Sequence, residues 1–432
     1  MKETLHILYG TTQVGSLGYD RKKDEISLTY ETSWQFASDS FPVSLSLPLA
    51  KKSHPDESIR PFLQGLLPDN PAVIEAWGKR FQVSPRNPFD IIKYVGEDCA
   101  GALQFVRPER LGEILSGKLD FLTPLTEDDL AKRMLDLTSQ SRAIPMLIEG
   151  RFSLAGAQTK DALHLKEGQW FVPGGRIPST HILKPQLGDF EEHALNEHFC
   201  LQLASRIGLI RAESSVLEIA GKRILCVKRY DRTATHSGSI LRWHQEDTCQ
   251  ALGRFPHQKY QADGGPSAAD ITGLLGRFSD HPADDIDRFV MALAFNWVIA
   301  GTDGHSKNYS LLHSAGSCVR LAPLYDLASF LPYQRDPKSR KVKLAMKIGG
   351  TYRLHEIDRH HWDKWAVEAG LPPERVTALV TALIRHVVDS LEPTLKAVAE
   401  MNNSPFLETL THAISEHTER CAKVMERWGQ TI

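Results

Sequence analysis

Residues 286–300, Ile-Asp-Arg-Phe-Val-Met-Ala-Leu-Ala-Phe-Asn-Trp-Val-Ile-Ala, carry only three polar side chains, Asp287, Arg288 and Asn296. A helix that is apolar all round must be covered on every side. At 15 residues this run is shorter than the roughly 18–20 needed to span a bilayer. The cover must therefore come from the rest of the chain, which predicts a helical body built around this segment. At 432 residues the chain has length for two or three cores, at about 100–200 residues per domain. With 41% hydrophobic and 24% charged residues, the mix is that of an ordinary globular protein. No signal-like or membrane-spanning stretch is legible, and the expectation is a cytoplasmic protein. Six scattered cysteines without a C-x-x-C pair argue against a zinc ribbon or disulfide framework. A formal charge of −2 gives no global attraction to nucleic acid.

Around that segment the texture of the chain changes twice. Runs 5–9 and 26–30 alternate in the strand manner between turn-forming segments, predicting a small antiparallel sheet. Residues 61–81 read as helical, interrupted at Pro68-Asp69-Asn70-Pro71, with Asn70 as N-cap and Pro71 in the first turn. Residues 96–105 read as a loop entering a strand, and 107–126, rich in Pro, Gly and charge, as a connection. From Phe152 onward short strands (152–154, 162–165, 180–183, 215–219, 224–228) surround an amphipathic helix over 190–207. After Gln245 the pattern is mostly helical, with long amphipathic helices over 377–401 and 406–428. The expected units are an N-terminal domain (1–107), a connecting segment (108–150), a β-rich lobe (151–244) and a helical lobe (245–432).

The chemistry-bearing residues fall where these units meet. Directly after the apolar helix comes Gly301-Thr302-Asp303-Gly304-His305-Ser306-Lys307-Asn308, and Tyr325-Asp326 follows after a short hairpin. An Asp, an Asn five residues on and a later Asp suit phosphoryl transfer. One carboxylate orients the attacking hydroxyl, while the amide oxygen and second carboxylate hold Mg²⁺ against nucleotide phosphates. Upstream, Ser153 to Lys160 form a small-residue turn ending in a cation, able to bring backbone N–H groups close to phosphate. Its spacing fits neither the Walker nor the dinucleotide glycine pattern. Lys184 ends a strand where a buried ammonium needs an anion, with Glu191, Glu192 and Glu197 as candidate partners. Lys228-Arg229-Tyr230 close the last strand of the β lobe, where backbone groups could read an adenine edge. Each feature alone also suits a plain turn, a snorkelling lysine or a strand end. Their order along the chain is the order a kinase fold requires, and it predicts an α+β, two-lobed protein-kinase-like fold with an additional small β-rich N-terminal domain.

Ser-x-Ala-Gly-Ala-Gln-x-Lys at 153–160, Thr-His-Ile-x-Lys at 180–184, Gln-Glu-Asp-x-Cys-Gln at 245–250, Thr-Asp-Gly-His-x-Lys-Asn at 302–308 and Tyr-Asp at 325–326 resemble the HipA family. So do Leu66-Leu67-Pro68-Asp69-Asn70-Pro71 and the stretch 96–105 in the first domain. The resemblance implies a serine/threonine kinase that is the toxin of a type II toxin–antitoxin pair. It implies Asp303 as catalytic base and Asn308 and Asp326 as Mg²⁺ ligands. The ATP site would be lined by Ala155, Gly156, Ala157, Gln158, Thr159, Lys160, Lys184, Lys228, Arg229, Tyr230, His305, Ser306, Lys307, Asn308 and Asp326. Ser153 would be the autophosphorylated residue. The implied partners are a HipB-like helix-turn-helix antitoxin, operator DNA through that antitoxin, and an aminoacyl-tRNA synthetase, glutamyl-tRNA synthetase foremost, as substrate. Arg335, Lys338, Arg340, Lys341, Lys343 and Lys347 read as a solvated basic face rather than a DNA contact. The rival readings are a small-molecule phosphotransferase and a catalytically silent kinase-fold co-repressor.

Overall fold

The structure, a computed structural model, describes residues 2–138, 152–156, 158–186, 190–236, 238–334 and 341–426. Ala157, Arg335, Lys338 and Arg340 lie outside the described residues.

Strand Lys2–Tyr9 sits inside a five-stranded antiparallel sheet, between Thr12–Asp20 and Leu103–Val106, with Glu25–Tyr30 and Ser53–His54 completing it. Its alternation buries Leu5 and Ile7 in one core, while Leu8, on the other face, is buried against Val106 and Ile114. Helices Asp56–Gly65, Pro71–Phe81 and Pro88–Val95 contribute to the same core, where Trp34, Phe62, Phe89 and Phe105 are buried. The interruption expected at 68–71 is present. The Asn70 side chain accepts from the Ala72 N–H at 3.0 Å, with Pro71 at the first helical position.

A six-stranded antiparallel sheet follows, ordered Ser214–Ile219, Lys222–Lys228, His181–Pro185, Asp161–Lys166, Gln169–Gly174 and Phe121–Pro124. Its last edge strand comes from the stretch expected to be only a connection. That stretch also forms helices Pro108–Leu115 and Glu127–Thr138, and Arg133 of the second helix pairs with buried Asp161 at 2.7 Å. Charge and proline there mark an edge strand and helix caps rather than a linker.

Helix His193–Arg206 differs from its expected amphipathic form, for Ala194 through Leu201 are all buried. It is wedged between the six-stranded sheet and the long helix Pro373–Ala399. Its polar residues are committed inside: Asn196 to the Ser329 backbone at 2.7 and 2.8 Å, Glu197 to Lys184, and His198 to Ser214 at 2.9 Å. Helix Pro282–Val298 is buried continuously from Ala292 to its end, while its first turns leave Asp284 exposed. The predicted all-round cover applies to the half that leads into the polar cluster. Around it pack Ala268–Phe278, Pro373–Ala399 and Pro405–Glu426, and Trp297 meets Trp362 edge-to-face at 5.6 Å. Among the described residues no helix is long and apolar enough to cross a membrane.

Candidate active site

The apolar helix stops at Val298, and Ala300 takes a left-handed φ of 52°. The chain then reverses, and the Asn296 side chain donates to the Tyr309 hydroxyl at 2.9 Å, tying the helix to the returning strand. In the loop so formed, the Asn308 amide nitrogen donates to the Asp303 carbonyl at 2.8 Å. That bond turns the Asn308 amide oxygen, the hard-ligand atom, the other way. The Asp303 side chain is 68% exposed, in the open part of the cleft, and accepts from the Tyr260 hydroxyl. Burial and then the Asp303 carboxylate push the Tyr260 phenol above its ordinary range, so it stays a donor. His305 is buried with its ring edge-on to Tyr260, and burial holds it below the ordinary imidazole value.

Strand His181–Pro185 delivers Lys184 from the opposite side. Its ammonium donates to Glu197 at 2.8 Å and also contacts Asp326. Of the three candidate glutamates, Glu197 is the partner, while Glu192 pairs with Arg223. Burial opposes the charge on Lys184, but Asp326 and Glu197 prevail and hold it above the usual lysine range. Burial likewise opposes ionisation of Asp326, and Lys184 with Lys160 holds that carboxyl well below the usual carboxylate range. The Lys160 ammonium donates to the Ala155 carbonyl at 2.6 Å, and burial pushes it down to about 8.

Two adjoining cavities between the lobes share Gly156, Lys160, Lys184, His305, Asn308 and Asp326. The inner one adds Ile182, Ala212, Val227, Tyr230 and Tyr325, an apolar slot suited to a flat ring. The outer one adds Asp303, Gln158, His193 and Phe330. Ala155, Lys228, Arg229 and Lys307 also line the inner cavity. The Arg229 guanidinium is nevertheless committed to Asp231 and Ser179 at 2.8–2.9 Å, and Lys228 is a half-exposed partner of Glu213. Ser306 and Thr159 line neither cavity. Ser306 donates to the Lys259 carbonyl at 2.8 Å, and Thr159 to the Leu137 carbonyl at 3.3 Å. Ser153 is fully buried and donates to the Leu66 carbonyl at 2.8 Å.

Asp69, Gln245, Asp247 and Tyr325 stand in the motifs but received no site role from the sequence, and all are on the inner cavity wall, while Tyr260 over Asp303 was missed altogether. Asp69 comes from the first domain, some 240 residues away, so no spacing rule reaches it. Only its place in the Pro68-Asp69-Asn70-Pro71 break marks it.

The HipA N-terminal domain model matches residues 5–106 and the HipA-like C-terminal domain model matches residues 152–391. A Sinorhizobium fredii protein, provisionally named a kinase, is 37% identical over 90% of this chain and 92% of its own length. The serine/threonine-protein kinase toxin HipA of Shewanella oneidensis is 29% identical over 90% of this chain and 88% of its own. A solved structure of Shewanella oneidensis HipA with HipB and operator DNA shares the fold, with a TM-score of 0.84 at 24% identity over 98% of both chains. Both characteristic domains are thus present, in order, on one two-lobed kinase-like framework, and the chain belongs to the HipA family.

Proposed function

We propose that this chain is an ATP- and Mg²⁺-dependent serine/threonine protein kinase acting as the toxin of a toxin–antitoxin pair. The observation that carries the reading is the convergence of exposed Asp303, the outward amide oxygen of Asn308 and the Lys184–Glu197–Asp326 group on one cleft. Hard oxygen donors from one carboxylate and one amide suit Mg²⁺, whose remaining positions go to phosphate and water. Held there, the ion would neutralise charge on the phosphates. Asp303, open to the outer cavity, orients the incoming hydroxyl and accepts its proton. Lys184 and Lys160 supply positive charge where the nucleotide phosphates lie, and the slot at Tyr230 and Tyr325 takes the base. Ser153 is the proposed autophosphorylation residue. An aminoacyl-tRNA synthetase, foremost glutamyl-tRNA synthetase, is the proposed substrate, and a HipB-like antitoxin bound to operator DNA is the proposed partner. These last readings rest on family membership.

The purified chain incubated with ATP and Mg²⁺ should incorporate phosphate. Asp303→Asn should lose at least about a thousandfold in rate while still binding ATP by calorimetry. Robust transfer by Asp303→Asn would overturn the assignment of the base, and a wild type that neither binds ATP nor transfers phosphate would overturn the kinase.

A further inference from the structure

The loop Leu66–Asp69 lies between a helix that ends at Gly65 and a helix capped by Asn70, so its path is fixed at both ends. It reaches out of the N-terminal domain into the cleft and touches both halves of the site. On one side, the Asp69 N–H donates to the Gly156 carbonyl at 3.0 Å, and Ser153 donates to the Leu66 carbonyl at 2.8 Å. On the other side, the Asp69 carboxylate accepts from Lys307 at 2.5 Å and from Lys259 at 2.9 Å.

All three charged groups are enclosed: their side chains are 10%, 3% and 15% exposed for Asp69, Lys307 and Lys259. Burial opposes ionisation of Asp69, but the two lysines win and hold its carboxyl below the ordinary range. Lys307 is also gripped through its backbone, whose carbonyl accepts from the Tyr325 hydroxyl at 2.7 Å. Lys259 is gripped likewise, for its carbonyl receives the Ser306 N–H at 3.2 Å and hydroxyl at 2.8 Å. The segment Ser306–Asn308 therefore hangs between Asp69 and its own lobe. Asn308, the proposed metal ligand, is the next residue along.

We propose that the N-terminal domain completes the phosphoryl-transfer site, with Asp69 as a positioning residue that sets Lys307 and through it Asn308. The inference rests on the kinase reading and extends it to a part of the chain outside the two lobes. One carboxylate holds two ammonium groups here, with the Asp247 carboxyl also facing Lys307, and Lys307 is the cation on which a nucleotide phosphate would pull. Asp69 keeps that cation from being drawn fully onto the nucleotide, so the segment stays in register when ATP enters. Without Asp69 two freed cations would grip the ground-state phosphates, and Asn308 would lose its setting. Tight binding with poor turnover is the signature of that change.

The experiment compares wild type, Asp69→Asn, Lys307→Met and the double variant for phosphate transfer and for ATP–Mg²⁺ binding by calorimetry. Asp69→Asn should lower kcat by about tenfold or more, in the range that a small misplacement of reacting groups costs, with KM for ATP unchanged or lower. Lys307→Met, which leaves Asp69 paired with Lys259, should show a similar kcat loss. The double variant should fall less than about twofold below Lys307→Met, because the two residues act as a unit. Equal kcat in Asp69→Asn and wild type, or a rise in KM parallel to the fall in kcat, overturns the positioning role and leaves the kinase standing. A wild type without ATP binding or transfer overturns both.

Discussion

At the scale of single residues, Lys160 gives the sharpest expectation. Its ammonium is partly buried in the cleft, and that burial lowers it to about 8 against an ordinary 10.5. Between those two values the folded, nucleotide-free chain binds fewer protons than the unfolded one, so this group makes stability rise with pH across that window. Nucleotide binding has the opposite sign, because phosphate favours the charged lysine. ATP affinity should therefore fall as pH rises above about 8, and binding there should take up as much as one proton per nucleotide. Calorimetry in buffers of different ionisation enthalpy reads that uptake directly, and Lys160→Met should abolish it. An uptake unchanged in Lys160→Met would place the proton elsewhere. Lys160 was legible in the sequence as a cation ending a small-residue turn, and Lys184 as a strand lysine in need of an anion. The identity of that anion was only half legible. Glu197 lay among three candidates, but Asp326, which also meets the ammonium, is brought there by a left-handed backbone at φ 53° that no pattern announces.

At the scale of elements, strands with one covered face were readable because alternation survives in sequence. Helix His193–Arg206 was misread in character because Asn196, Glu197 and His198 look like a solvent face. They are buried polar groups with fixed partners, and sequence periodicity cannot separate the two cases. The short strand Phe152–Ser153 has little support, pairing with Asp98–Cys99 over two residues. Its serine hydroxyl is a donor facing a carbonyl. A carboxylate at this position would set acceptor against acceptor at a fully buried position. Ser153→Asp should therefore expel the strand and carry the adjoining turn, with Lys160, out of the cleft. ATP affinity should drop about tenfold or more, roughly 1.4 kcal/mol, and amide exchange over 152–156 should accelerate. Ser153→Ala loses one buried hydrogen bond, costs about 1 kcal/mol of stability, and should keep near-normal ATP binding. Equal affinity in the two variants would show that the turn holds its shape without this strand.

At the scale of the whole molecule, three apolar cores are separate, and charged groups join the first domain to the segments that flank the second sheet. Asp98, in the first domain, accepts from Arg242 at 2.7 Å, Arg232 at 3.1 Å and Ser179 at 2.6 Å. Asp231 answers from the turn that follows strand Lys222–Lys228, accepting the Gly101 N–H at 2.8 Å and pairing with Arg229 at 2.8 Å. All these side chains are buried, so each charge depends on the others being present. Replacing such a pair by apolar residues can be neutral, whereas removing one partner strands its counter-charges. Burial opposes ionisation of Asp98, but Arg242, Arg229 and Arg232 hold its carboxyl far below the ordinary range. A depressed carboxyl contributes stability that is present above its unfolded pKa and is lost as pH falls below it toward the folded value. The joint should therefore hold at neutral pH and fail only in strong acid, below about pH 4. Asp98→Asn removes the hub at every pH and should cost about 3–5 kcal/mol. Because the cores are separate, that loss falls on the contact between domains rather than on either core. Scanning calorimetry should then resolve two transitions in Asp98→Asn where the wild type shows one. Since Asp69 belongs to the domain that detaches, phosphate transfer should disappear with the first of them. A single transition within about 1 °C of wild type would correspond to only about 1 kcal/mol for a chain of this size, and the joint would then rest on the other contacts across it, those of Glu246 with Ser44 and Leu45 and of Asp69 with Lys259 and Lys307.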